Sequence, residues 1–175
     1  MDDPIPFASR EYFIFLALLL FARGMDFLST WVATPRLVLE GNPIAKRLGW
    51  KWGGVVNLVL CVGFARTPLP ALIISTTSVL VAARNFQNAW LMRTMGEDAY
   101  RFWMSERLAE SRPALFVACL FGQCLLFALV GTALLLLGGL TLISVGVGIG
   151  MIGYALAVFI FSLFAVWRWR RGHGN

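Results

Sequence analysis

The segment FIFLALLLFARGMDFLSTWVA (Phe13–Ala33) is apolar at nearly every position, yet it carries an arginine and an aspartate three residues apart, Arg23 and Asp26. About 20 predominantly apolar residues cross the hydrocarbon core of a bilayer, and this run is long enough. The two charges oppose insertion. A central Arg or Asp costs about 2.5–3.5 kcal/mol, and each Leu, Ile, Phe or Val offsets about 0.3–0.6. The charges therefore cost roughly 5–7 kcal/mol, against a gain of roughly 3–7 from the apolar residues. A helix so nearly balanced needs partners, so a bundle is expected.

The rest of the chain agrees. Of 175 residues, 59% are hydrophobic and 14% charged, with mean hydropathy +0.76. Soluble domains carry about 25% charged residues, so this much apolar surface has to face lipid. The length suits one polytopic unit over 1–175. The leading MDDPIPFASREY is acidic where a signal peptide is basic, so the first run is expected to stay as a span. Ser9 is placed to cap it, with Glu11 in its first turn. Cys61, Cys119 and Cys124 lie in apolar runs without C-x-x-C spacing and read as small buried hydrophobes. The single histidine, His173, is two residues from the end. No span offers an axial ligand to haem or pigment, and no cofactor or metal is expected.

Five spans are predicted, at about 13–33, 51–67, 71–91, 114–137 and 142–167. TPLP (67–70) and Pro113 are read as breaks, and GGLT (138–141) as a hairpin. EDAYRFWMSERLAE (97–110) is predicted to lie as a helix on the membrane surface, a solvated connector being the plainer alternative. Charge tests this layout. Five spans put Arg36, Lys46, Arg47 and Lys51 of the first loop on one side. Arg93, Arg101, Arg107 and Arg112 of the third loop join them, as do Arg168, Arg170 and Arg171 of the tail. Only Arg10 and Arg66 fall opposite. A re-entrant second span would divide the same residues eight against five. The positive-inside rule therefore predicts an outside N-terminus and a cytoplasmic C-terminus. Most tryptophans fall at predicted interfaces, where amphipathic rings settle. The net charge of +6 follows the membrane edges, which points to anionic inner-leaflet lipid and away from nucleic acid. By that reading RWRRGHGN is a lipid-facing anchor. The expected class is an all-α polytopic transmembrane helix bundle in a prokaryotic cytoplasmic membrane.

Within it, spans 1 and 3 both run from outside to inside. Aligning their ends puts Arg23 level with Val81, Asp26 with Arg84, and Thr30 with Asn88. Arg23, Asp26 and Thr30 share a helix face. Thr77, Arg84 and Asn88 form a stripe on span 3, and Asn57 and Asn85 extend the network. Asp26 is expected to bridge Arg23 and Arg84. Two arginines against one aspartate leave a spare positive charge for Glu40, water or an anion such as a lipid phosphate. An intramembrane ionisable residue is a functional-site hypothesis by default. The structural alternative is a clasp between spans.

The loop LEGNPIAKRLGWKW follows, with Gly41 flexible and Asn42 biased away from helix by Pro43. Glu40 and Asn42 are read at the cytoplasmic mouth of the polar cluster. The whole pattern is Asp26-x3-Thr30-x9-Glu40-x-Asn42-Pro43. It resembles an uncharacterised prokaryotic membrane family, a domain of unknown function, whose members pair an intramembrane D-x3-T with an E-x-N-P loop. The resemblance covers the first three spans and implies no established activity.

GIGMIG, with Gly148, Gly150 and Gly153, matches G-x-G-x-x-G. It lacks the preceding strand and βαβ unit that a dinucleotide site requires. Gly146-x3-Gly150, continued by Gly153, reads instead as a small-residue face for close helix packing, against Gly122, Gly131 or a second subunit. The sequence contains no Walker A, nucleophile elbow or H-E-x-x-H. It points to a non-catalytic accessory or scaffold subunit, partnered by lipids and by a homo-oligomer or membrane complex. The alternative is a lipid-handling or small-solute transport protein, or an intramembrane enzyme, working through Asp26, Arg23 and Arg84.

Overall fold

The computed structural model describes residues 3–171, with side chains through Trp167. The side chains of the basic tail read as an anchor, 168–175, lie outside the described ones. Six helices follow one another: α1 (Arg10–Ala33), α2 (Pro43–Phe64), α3 (Pro68–Met95), α4 (Glu97–Glu110), α5 (Pro113–Leu137) and α6 (Leu142–Arg171). There is no strand among the described residues.

The helix ends follow local chemistry. Ser9 accepts from the Tyr12 amide at 3.2 Å and starts α1. Asn42 accepts from the Ile44 amide at 3.0 Å, with Pro43 in the first turn of α2. TPLP opens α3 and does not merely separate spans: Pro68 sits where a missing amide hydrogen leaves no bond unmade. Gly96, at φ 81°, ends α3, and Pro113 opens α5.

Four helices are long and apolar enough to cross a membrane: α1, α3, α5 and α6 over Leu142–Trp167. The predicted second crossing is not among them. Lys46, Arg47 and Lys51 charge the first part of α2, and Gly49 breaks its helical path at φ 64°, ψ −172°. α2 also begins at Pro43, eight residues before the predicted start of that span. The outer surface of the bundle is nonetheless oily: Val59, Leu126 and Leu137 are 65%, 67% and 85% exposed.

α1 and α3 form the tightest pair and run parallel. Arg23 meets Ser78, and Ser29 and Thr30 meet Asn85, at a constant offset of 55–56 residues. The contact is a heptad stripe. Leu19, Ala22, Ser29 and Ala33 of α1 are buried, as are Ala71, Ser75, Ser78, Ala82 and Ala89 of α3. Small residues there let the backbones approach, which is how helices gain packing in lipid. The level alignment of spans 1 and 3 predicted from their ends was therefore displaced by two to three residues, because the small-residue stripe and not the helix ends sets the register.

α2 returns antiparallel along α1. The Trp50 indole donates to Pro35 O at 2.8 Å, the Phe27 ring packs over Gly53, and the Tyr12 hydroxyl reaches Val62 O at 3.3 Å. α6 lies between α3 and α5. It runs parallel to α3, with Gly146 against Leu72 and Gly150 against Thr76, and antiparallel to α5, with Gly148 against Gly131. Thr77 donates to Gly150 O at 3.0 Å. The glycine face thus packs on α3 of the same chain; Gly131 meets Gly148 on the neighbouring face, and Gly122 has open space beside it. An alternation of glycines on α6 serves two neighbours at once.

Candidate functional site

Arg23 is the hub of the intramembrane polar cluster. Its position on α1 faces both the returning α2 and the parallel α3. Nε donates to Asn57 Oδ1 at 2.7 Å, and Nη2 donates to the same oxygen. Nη1 donates to Asp26 Oδ2 at 2.8 Å and to Ser78 Oγ at 3.0 Å. Asn57 is itself anchored, its amide donating to Gly53 O at 2.7 Å. One guanidinium therefore ties three helices, and four of its five N–H groups are occupied. A second layer lies one to two turns further on. Asn85 donates to Ser29 Oγ and Thr30 Oγ1, each at 3.3 Å, and Ser29 donates to Asp26 O at 2.9 Å.

The predicted bridge from Asp26 to Arg84 does not form. Asp26 pairs with Arg23, and Arg84 points to the far side of α3, where Nη2 donates to Ser162 Oγ of α6 at 3.2 Å. Thr77 and Arg84 share that α6-facing stripe, while Asn88 is exposed. The reason is helical geometry: residues 84 and 85 lie about 100° apart, so only one can face α1. The stripe of small residues decides for Asn85. Ser78, the true partner of Arg23 on α3, was missed by the sequence reading, although Ala71, Ser75, Ser78, Ala82 and Ala89 at heptad spacing signalled that face.

Glu40 and Asn42 act locally. Glu40 Oε1 accepts from the Asn42 amide at 2.7 Å, Asn42 caps α2, and Pro43 occupies its first turn. The E-x-N-P sequence is thus a helix-starting device, and Glu40 lies within electrostatic reach of Asp26.

A second polar centre went unread in the sequence. Glu97, 4% exposed at the start of α4, gathers the loop after α1. It accepts from the Thr34 hydroxyl, from the Arg36 amide at 2.8 Å and from the Val38 amide at 2.9 Å. Arg36 also approaches it through Nε at 3.5 Å and pairs with Asp98 at 2.6 Å. Burial alone pushes the Glu97 carboxyl up. The bonds from Thr34, Arg36 and Val38, with the charge of Arg36, outweigh it and hold the group below its ordinary value.

Beside Arg23 an open cleft of about 230 Å³ separates α1 from α2, walled mainly by Leu20, Gly24, Phe27, Gly54 and Leu58. Its chemistry is sparse. Among the described residues no three His, Cys, Asp or Glu side chains gather to hold a metal ion. The cluster pairs no nucleophile with a base; it presents donors already engaged by acceptors. No family model, curated protein or solved structure matches the chain.

Proposed function

We propose that the chain is a five-crossing integral membrane protein acting as a non-catalytic accessory or scaffold unit, with the Arg23–Asp26 cluster as its internal clasp. The observation that carries this reading is the engagement of Arg23 by Asn57, Asp26 and Ser78 on three helices. A guanidinium so engaged has one N–H left for a ligand. The alternative of transport, lipid handling or intramembrane catalysis draws on Asp26, Arg23 and Arg84 as one cluster, and Arg84 turns instead to Ser162 of α6.

The parallel run of α1 and α3 supports five crossings. A chain that descends through α1 and descends again through α3 must return between them, and α2 is the segment that lies along α1 in the opposite sense. The charge distribution then orients the N-terminus outside and the C-terminus in the cytoplasm of a prokaryotic cell. Anionic inner-leaflet lipids and a membrane-complex or homo-oligomeric partner complete the reading, as does kinship with the D-x3-T/E-x-N-P family.

Two experiments test it. In a cysteine-free background, Gly41→Cys should react with impermeant reagent only from the cytoplasmic side and Arg66→Cys only from outside. Labelling of both from one side refutes the fifth crossing. Asp26→Asn should lower stability by about 0.6–1.7 kcal/mol, from the average to the largest polar contact measured in membranes. Native mass spectrometry should find co-purifying partners unchanged. A variant that keeps its melting temperature but releases a bound small molecule would turn the clasp into a binding site.

A further inference from the structure

Arg84 is the arginine that the clasp leaves over, and its depth is readable from helix register. α3 and α6 run parallel with Leu72 against Gly146 and Thr76 against Gly150, an offset of 74 residues. By that offset Arg84 is level with Val158, yet its Nη2 donates to Ser162 Oγ at 3.2 Å. The side chain therefore leans toward the C-terminal end of α6. Ser162 is level with Asn88 on α3. The α1–α3 offset of 55 puts that level at Ala33, the last residue of α1. The guanidinium thus leaves a mid-helix Cα and turns toward the end of the bundle that carries α4 and the α1–α2 loop. Long basic side chains snorkel this way toward headgroups.

What it meets there is neutral. The Ser162 hydroxyl accepts one bond, and the Tyr154 hydroxyl, itself near Gln123, lies within interaction range. None of the ion pairs among the described residues includes Arg84. An arginine side chain carries five donors and no acceptor, so a full positive charge stands within the bundle beside two hydroxyls. Ser162 retains its own O–H for donation. Phe159 and Leu163 beside it on α6 are partly buried against the α5–α6 core, while Phe161 and Phe164 are exposed on the outer face and Gln123 is exposed on α5.

We propose that Arg84, with Ser162, binds the phosphate of an anionic phospholipid in the leaflet on the α4 side. Arg forks pair with phosphate through two parallel charge-assisted bonds. The apolar flank favours a lipid over free phosphate, and the site is independent of the Arg23 clasp.

The test uses the full chain in detergent micelles doped with phosphatidylglycerol or with phosphatidylcholine, and separately with inorganic phosphate. Retained lipid is read by native mass spectrometry and the melting temperature is followed alongside. The protein is expected to retain one phosphatidylglycerol per chain, with about tenfold preference over phosphatidylcholine. Arg84→Ala should abolish that preference. Arg84→Gln, which keeps a donor to Ser162, carries the same expectation should the alanine variant not fold. Arg84→Lys should keep part of the preference. Undiminished preference in Arg84→Ala or Arg84→Gln overturns the site. Stabilisation by inorganic phosphate equal to that by phosphatidylglycerol overturns the lipid assignment.

Discussion

Replacing Gly150 with alanine asks whether the glycine face of α6 belongs inside the chain or between subunits. An added Cβ would lie 2.7 Å from Thr76 Cβ and 3.0 Å from Ile73 O. Carbon atoms pack best at about 3.5–4.0 Å, so α3 and α6 must separate by about 1 Å where they cross. The Thr77–Gly150 hydrogen bond, 3.0 Å now, would stretch with them. Forced overpacking of this kind costs about 1–3 kcal/mol. Alanine in a helix recovers only about 0.5–1 kcal/mol relative to glycine. A net loss of up to about 2.5 kcal/mol, centred at about 1, is therefore expected. Gly122→Ala is the control: nothing lies within 4 Å of its added Cβ, so stability should hold or rise by up to about 1 kcal/mol. Helical ellipticity during titration of mixed micelles with a denaturing detergent measures both, and light scattering reports subunit number. If Gly150→Ala leaves unfolding unchanged but alters subunit number, the face lies between subunits and the reasoning fails. It fails equally if Gly122→Ala is the more damaging change.

Further predictions concern the α1–α2 connection. Gly49 adopts φ 64°, ψ −172°, a region open essentially to glycine alone, so Gly49→Ala should cost about 1–3 kcal/mol although its Cβ meets nothing. Limited proteolysis should then cut preferentially near residues 40–50, and unchanged stability would contradict the kink. Glu97 supplies a pH signature. Its folded value lies below the ordinary 4.5, so its contribution is complete above that value and is lost as pH falls through the folded one. The melting temperature of the native protein should fall more steeply below about pH 4.5 than that of Glu97→Gln. Parallel curves would mean that the carboxylate does not hold the loop.

Oily composition, the punctuation by Pro35, Pro68, Pro113 and Gly138, and the cap at Ser9 were legible because each acts within a few residues along the chain. They suffice to fix helical elements of the right number and near the right places. Arg23 and Asp26 were legible as partners for the same reason, being three residues apart on one helix. The destination of Arg84 was not. Whether residue 84 or 85 faces α1 turns on about 100° of helix rotation, and its level on a register displaced by two to three residues. Both follow from which small residues let two backbones close, a property of the pair. The Glu97 clamp lies beyond sequence reach for a related reason, since it joins residues about 60 positions apart whose only shared feature is their place at one end of the bundle. The sequence by itself determined that this chain is helical, apolar and charged at a few buried points. Only the tertiary structure decided which charge answers which, because that depends on register and rotation between helices, which local propensity does not encode.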